Sequence, residues 1–193
     1  MKNLLNSSDL QIAVLDLEAS ALGPGSYPIE AGVALIRPGA HPVLSWSTII
    51  RPTQEWLDDG LWSSASAAVH GIPRESLEQH GHSVQEVCDW LNALLGSRTI
   101  VATDAPRYDQ DWLDTLFKAA DREQQFTLHH FEVLTGGLNA DQHRHLAYLL
   151  GRAIVPHRAG PDALRLATKL MEAHLGYPPR VEGVDKLLRP GGL

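Results

Sequence analysis

The chain has a single cysteine, Cys88, in 193 residues. No intrachain disulfide can form, which predicts a reducing, cytoplasmic setting. Long apolar runs are also missing. None approaches the ~20 residues needed to span a bilayer, so no membrane passage is expected. Met1 to Leu10 lacks the apolar stretch of a secretory signal. Basic runs are absent too: lysines and arginines are scattered, and the net charge is −7. Taken alone, that argues mildly against a nucleic-acid partner, which prefers a basic surface. The objection is weak where clustered carboxylates are neutralised by bound cations, or where short ends need few phosphate contacts. There is no internal repeat and no low-complexity segment. Gly23-Pro24-Gly25 is a turn without the lysine and helix of a phosphate-binding loop.

What is present reads as one α/β domain over 1–193, with a core of about 11–176 and an irregular, Pro- and Gly-rich tail over 177–193. Gln11 to Leu17, Ile29 to Ile36 and Val43 to Ile50 are apolar runs of strand length, the second closed by Arg37-Pro38-Gly39. Their short connections predict an antiparallel meander. Ser83 to Leu95 carries Val84, Val87, Cys88, Leu91, Leu94 and Leu95 at helical spacing, with Ser83 as N-cap and Gly96 as stop. Thr99 to Thr103 is a short buried strand, and Asp109 to Ala120 a helix. Phe126 to Leu134 is a further candidate strand. Asn139 to Leu150 and Pro161 to Leu175 are helices, the first capped by Asn139 and the second opened by Pro161. The order β-β-β-α-β-α-β-α-α predicts an RNase H-like mixed sheet of five strands, three antiparallel and then parallel additions, flanked by helices.

Five residues stand out: Asp16, Glu18, Asp109, His157 and Asp162. Residues i and i+2 of a strand share a face, so Asp16 and Glu18 project together. Two carboxylates ~4 Å apart repel by about 1 kcal/mol in water and about 4 kcal/mol at an effective dielectric near 20. A hard cation such as Mg²⁺ or Mn²⁺ removes that penalty. Two solvent-facing acids at a strand end explain the same pair. Asp109 follows the strand Thr99 to Thr103. If that strand lies parallel to the first, its C-terminal end comes near Asp16. Helix capping accounts equally for Asp104, Asp109 and Asp111. His157 falls in a loop and Asp162 in the first turn of the last helix, where an acid is favourable in any case.

Other features have structural explanations. His143 and His145 lie ~200° apart on a helix and cannot share a metal. His129 and His130 face opposite sides of a strand, and His80 and His82 flank a turn glycine. Cys88 belongs to an apolar helix face. Trp46, Trp56 and Trp62 are core or capping residues before they are base-stacking ones.

Taken together, the motifs resemble those of the DEDDh-type 3′→5′ exonucleases, the superfamily of polymerase proofreading exonucleases, ribonuclease T and oligoribonuclease. The resemblance rests on Val14-Leu15-Asp16-Leu17-Glu18-Ala19-Ser20-Ala21-Leu22 and the strand Ile29-Glu30-Ala31-Gly32-Val33-Ala34. It continues through His70-Gly71-Ile72-Pro73, Tyr108-Asp109-Gln110-Asp111-Trp112-Leu113 and His157-Arg158-Ala159-Gly160-Pro161-Asp162-Ala163. It spans roughly Ile12 to Leu175. One segment departs from the pattern. Asp104 stands where the family has asparagine, and Ala105-Pro106-Arg107 makes the spacing to Tyr108-Asp109 one residue longer. Asp109 is preferred as the family's aspartate because Trp112 and Leu113 keep the spacing after it; Asp104 is the second candidate.

The resemblance implies that Asp16, Glu18, Asp109 and Asp162 hold two divalent ions, Mg²⁺ or Mn²⁺, with His157 as general base. It implies contacts from Ala19, Leu22 and the Asp104 loop to a substrate 3′ end of single-stranded DNA or RNA, and release of nucleoside 5′-monophosphates. Dimerisation is common among the family's RNA-directed members, so the resemblance also admits a homodimer. Two alternatives share the layout: a partner-dependent proofreading or processing module, and a non-catalytic nucleic-acid-binding domain. The choice between DNA and RNA is open at this stage.

Overall fold

The computed structural model describes residues 4–6, 10–37 and 42–183. The turn expected at Pro38-Gly39 and the chain beyond 183 lie outside the described residues. The meander forms as the apolar runs predict: β1 (Gln11–Ala19), β2 (Pro28–Ile36) and β3 (Val43–Ile49), each antiparallel to the next. Three short helices follow, α1 (Gln54–Asp59), α2 (Ser64–His70) and α3 (Arg74–His80). Then come α4 (Val84–Leu95), β4 (Thr99–Thr103), α5 (Pro106–Ala120), β5 (Leu128–His130) and α6 (Glu132–Thr135). The described chain closes with α7 (Ala140–Arg152), α8 (Ala159–Leu175) and β6 (Val181–Gly183).

These elements make an α/β structure on one mixed sheet in the order β5-β4-β1-β2-β3-β6. β4 joins β1 in parallel, β5 joins β4 in parallel, and β6 joins the far edge parallel to β3. The sheet thus has six strands among the described residues, one more than the five expected. The extra strand lies in the segment read as irregular. It is three residues long, exposed throughout, and exists by pairing with β3 rather than by burial. Two other expectations shift. The run Phe126 to Leu134 forms only three residues of strand before turning into α6, because the Leu134 N–H bonds to the Phe131 carbonyl and ends the ladder. Helix α5 starts three residues before Asp109, at Pro106, whose fixed φ and missing N–H suit a first helical position.

Alternation along the strands divides the core in two. Ala13, Leu15 and Leu17 of β1 join Ile29, Ala31, Val33 and Leu35 of β2 beneath α4 and α5. Trp46, Trp56 and Cys88 are buried in that layer. Ile12 and Val14 of β1 join Ala34 and Ile36 of β2 on the other face, against Ala163, Leu166, Ala167 and Leu170 of α8. With a period of two, Asp16 and Glu18 continue the Ile12–Val14 face and emerge where α8 begins. Both faces are covered, so β2 is buried along its whole length, including its one acid, Glu30. Capping fixes the helix starts: the Ser83 hydroxyl accepts from the Glu86 N–H while the Glu86 carboxylate accepts from the Ser83 N–H. No described helix is long and apolar enough to cross a membrane.

Candidate active site

The first two acids come from the last turns of β1. In the β1–β4 ladder the final pair is Val14 with Ala102, so Asp16 and Asp104 each lie two residues past it, at the same edge of the sheet. The parallel pairing that sequence reasoning required is therefore present. A register shift between Glu18 and Ala19 interrupts the β1–β2 ladder, with Ala19 paired to Pro28 beyond it, a device that re-aims side chains at a sheet's rim.

Asp162 arrives from the first turn of α8, and its ligand atoms converge with those of Asp16 and Glu18, all within 4.8 Å of one another. The Asp162 carboxylate also accepts from Arg165 Nε at 3.0 Å and from the Arg158 N–H at 3.2 Å. Asp109 lies in the first turn of α5 and is 1% exposed. The Thr103 hydroxyl donates a short hydrogen bond to its Oδ2 and accepts in turn from the Ala105 N–H at 3.2 Å, so the end of β4 orients this carboxylate.

One cleft of about 240 Å³ gathers these groups: Asp16, Glu18, Asp109, Asp162, His157, Asp104 and Leu22 all line it, with Tyr108, Trp112, Val155 and Arg165. All five residues singled out in the sequence therefore share one cavity. Asp109 is buried against Thr103, whereas Asp104 is exposed at the rim. Leu22 is 68% exposed at the mouth. Ala19 lies apart from the others: its methyl is buried in the α4–α5 core, and the cleft lining passes from Glu18 to Leu22. His157 adopts a left-handed backbone, φ 53°, which few non-glycine residues do.

The charges sit uncomfortably. Burial holds the Asp16 carboxyl well above the ordinary carboxylate range, and Asp109, Glu18, Asp162 and Asp104 push it further. Glu18 is pushed up to about 7, first by burial and then by Glu30 and Asp162, with Arg158 pulling the other way. Burial pushes Asp109 up to about 7 despite the Thr103 hydrogen bond that favours its ionised form. A divalent cation would reverse all three effects. The donor set is made of hard carboxylate oxygens, three of them converging, and fits such an ion.

Sequence reasoning missed two residues at this site. Glu30 is 2% exposed on β2, directly opposite Glu18, and its carboxylate takes both Nε and Nη2 of Arg158. A lone acid inside a continuously apolar strand was the available signal. Arg165 lies one turn along α8 from Asp162, a spacing that brings the two side chains together.

No protein-family model matches the chain, and no curated protein sequence does. Solved structures do resemble it. A zinc-bound E. coli exonuclease I in complex with single-stranded DNA superposes with a TM-score of 0.63 at 14% identity, over 87% of this chain and 41% of that one. E. coli exonuclease I in complex with a dA16 oligonucleotide gives 0.62 at 15% identity, over 84% and 41%. A moderately thermophilic exonuclease I from Methylocaldum szegediense gives 0.60 at 12% identity, over 84% and 40%. At these identities the likeness is one of fold. This chain spans about two fifths of the length of those proteins.

Proposed function

We propose that this chain is a metal-dependent 3′→5′ exonuclease acting on single-stranded nucleic acid or short oligonucleotides. The observation that carries this reading is the convergence of Asp16, Glu18 and Asp162 within 4.8 Å, in a cleft that Asp109 and His157 also line. The fold neighbours are exonucleases, two of them in complex with single-stranded DNA, which supports the substrate class.

In this reading Asp16, Glu18, Asp109 and Asp162 hold two divalent cations, Mg²⁺ or Mn²⁺. Such ions, when bound, activate water and stabilise charge on the attacking and leaving oxygens. His157 accepts the proton of the water that attacks the terminal phosphorus. The bond from phosphorus to the O3′ of the preceding nucleotide breaks. That oxygen takes a proton from solvent and becomes the new 3′-hydroxyl, and a nucleoside 5′-monophosphate leaves. Asp104 stands at the rim, within reach of the incoming strand.

In this reading the strand runs along the surface beside the cleft. A groove of about 570 Å³ adjoins the cleft, sharing Leu22, Tyr108 and Trp112 with it and adding Arg107. Leu22 and the half-exposed Tyr108 offer apolar and aromatic faces to bases, and Arg107 a charge to phosphate.

A gel time course tests the proposal, with 5′-labelled single-stranded DNA and RNA oligonucleotides in Mn²⁺, Mg²⁺ or EDTA. The expected result is a metal-dependent ladder shortening from the 3′ end, and the faster substrate names the sugar preference. A folded, metal-binding chain that leaves both substrates intact would sink the reading of a self-sufficient enzyme.

A further inference from the structure

The residue that follows His157 is held from below by a buried acid that lines no part of the cleft. Glu30 is 2% exposed in the middle of β2. Its Oε1 accepts from Arg158 Nη2 at 2.8 Å, and its Oε2 accepts from Arg158 Nε at 2.9 Å and from the Ala159 N–H at 3.0 Å. Three charge-assisted bonds on the two residues after His157 make a rigid fork, of a geometry only arginine offers.

The same place is sterically fixed. A Cβ on Gly32, which shares the Glu30 face of β2, would stand 2.1 Å from the Ala159 carbonyl carbon. One on Gly160 would stand 2.7 Å from Ser47 Cβ. The N-terminus of α8 therefore rests on the backbone of β2 and the Ser47 side chain of β3 with no atom to spare. From the cleft side, the Asp162 carboxylate accepts the Arg158 N–H. Immediately before these anchors His157 keeps its left-handed φ of 53°, a conformation that persists only where the surroundings impose it.

We propose that Glu30 is a positioning residue that acts through His157: its clamp on Arg158 and Ala159 fixes the loop that presents the imidazole to the cleft. This rests on the exonuclease reading above. Glu30 is buried, and neither it nor Arg158 lines the cleft. What the clamp supplies is placement, and a misplacement of about 1 Å at a reacting group can cost on the order of 10²-fold in rate.

The test is Glu30→Gln, which keeps the shape and removes the charge, made in the wild-type and His157→Ala backgrounds and assayed for hydrolysis at high enzyme concentration. In the wild-type background kcat should fall on the order of 10²-fold, measured at Mn²⁺ concentrations that saturate both proteins. In the His157→Ala background Glu30→Gln should cost nothing further. Trypsin should cut the Arg158–Ala159 bond in the variant faster than in the parent. Equal losses in both backgrounds would make Glu30 merely structural and overturn the proposal. So would an unchanged kcat, or a loss explained by weaker Mn²⁺ binding. If Glu30→Gln does not fold, Arg158→Lys retains the charge, breaks the fork, and should give the same pattern. An inactive wild type refutes the exonuclease reading instead; trypsin then still reads the clamp, and unchanged cleavage at Arg158 overturns it.

Discussion

Glu18 and Glu30 stand directly opposite each other on adjacent antiparallel strands, yet their carboxylates meet different partners. Glu30 is neutralised by Arg158, 2.8 Å away. Glu18 joins Asp16 and Asp162, of which Asp162 is paired with Arg165. Like charges directly across a ladder destabilise it. Removing one should therefore relax the metal-free fold while harming the site. Glu18→Gln is expected to raise the melting temperature of the metal-free protein by roughly 2–4 °C, for relief of about 1 kcal/mol. The same variant should lose hydrolysis and the thermal shift on adding Mn²⁺. Differential scanning fluorimetry with and without Mn²⁺ checks both, and a lower melting temperature without metal would contradict the electrostatic account.

The pH dependence follows from the same repulsion. Glu18 and Asp109 titrate near 7 in the folded chain, above their ordinary values of 4.5 and 3.8. Because both are raised, the folded chain holds more protons than the unfolded one between those limits. Their contribution to stability is fully present below about pH 4 and is lost as the pH rises through 7. EDTA-treated protein should therefore lose stability from about pH 4 to pH 7, and Mn²⁺ should restore more of it at the upper end. Asp109→Asn should flatten the slope, and a slope identical to wild type would contradict it.

Thr103 orients Asp109 and shields it from bearing its burial alone. Thr103→Val keeps the volume but leaves a buried carboxylate with only its backbone bond to Leu17, at a cost of about 1–3 kcal/mol. It should also push the Asp109 carboxyl higher, since the lost bond favoured the ionised form. Metal titrations should then show Mn²⁺ binding moved to higher pH. Unchanged stability and unchanged binding would show that this hydroxyl does not matter.

At Gly32 the backbones of β2 and α8 lie too close for a side chain between them. Gly32→Ala forces the backbone apart, because the obstructing atoms are main chain rather than a flexible side chain. A loss of at least 1–3 kcal/mol is expected by chemical denaturation, as for other overpacked cores.

Leu22 and Tyr108 flank the mouth of the cleft, exposed by 68% and 49%. Substituting both with alanine should raise KM for oligonucleotides several-fold, since stacking on an aromatic is worth about 1–3 kcal/mol per base, and leave the melting temperature in place. A fall in kcat at constant KM would instead place them nearer the reacting atoms.

Much of this architecture was legible because it is local. Thr99–Thr103 forms with the bounds that its apolar run predicts, and Ser83 caps its helix as its type predicts. The pairing of Asp16 with Glu18 followed from the strand period alone. What was not legible depends on distant partners. Helices α1, α2 and α3 bury one residue each, Trp56, His70 and Leu77, too few to make a period. Their caps, Thr53 and Ser63, were the usable signal for the first two. Strand β6 is exposed throughout and carries no alternation to read. Between Asp104 and Asp109 the sequence left a choice. Both line the cleft, and Thr103 reaches only Asp109. The role of Glu30 depends on an arginine 128 residues on.

The central claim is that the converging acids bind divalent metal in order to hydrolyse nucleic acid, and Asp16→Ala tests it most directly. Wild type and variant, each shown to be folded, should be titrated calorimetrically with Mn²⁺. The same preparations should then be incubated with 5′-labelled single-stranded DNA and RNA. The account predicts Mn²⁺ binding and stepwise 3′ shortening in the wild type, and loss of both together in Asp16→Ala. Hydrolysis that survives in the variant, or that persists in the wild type in EDTA, would contradict it.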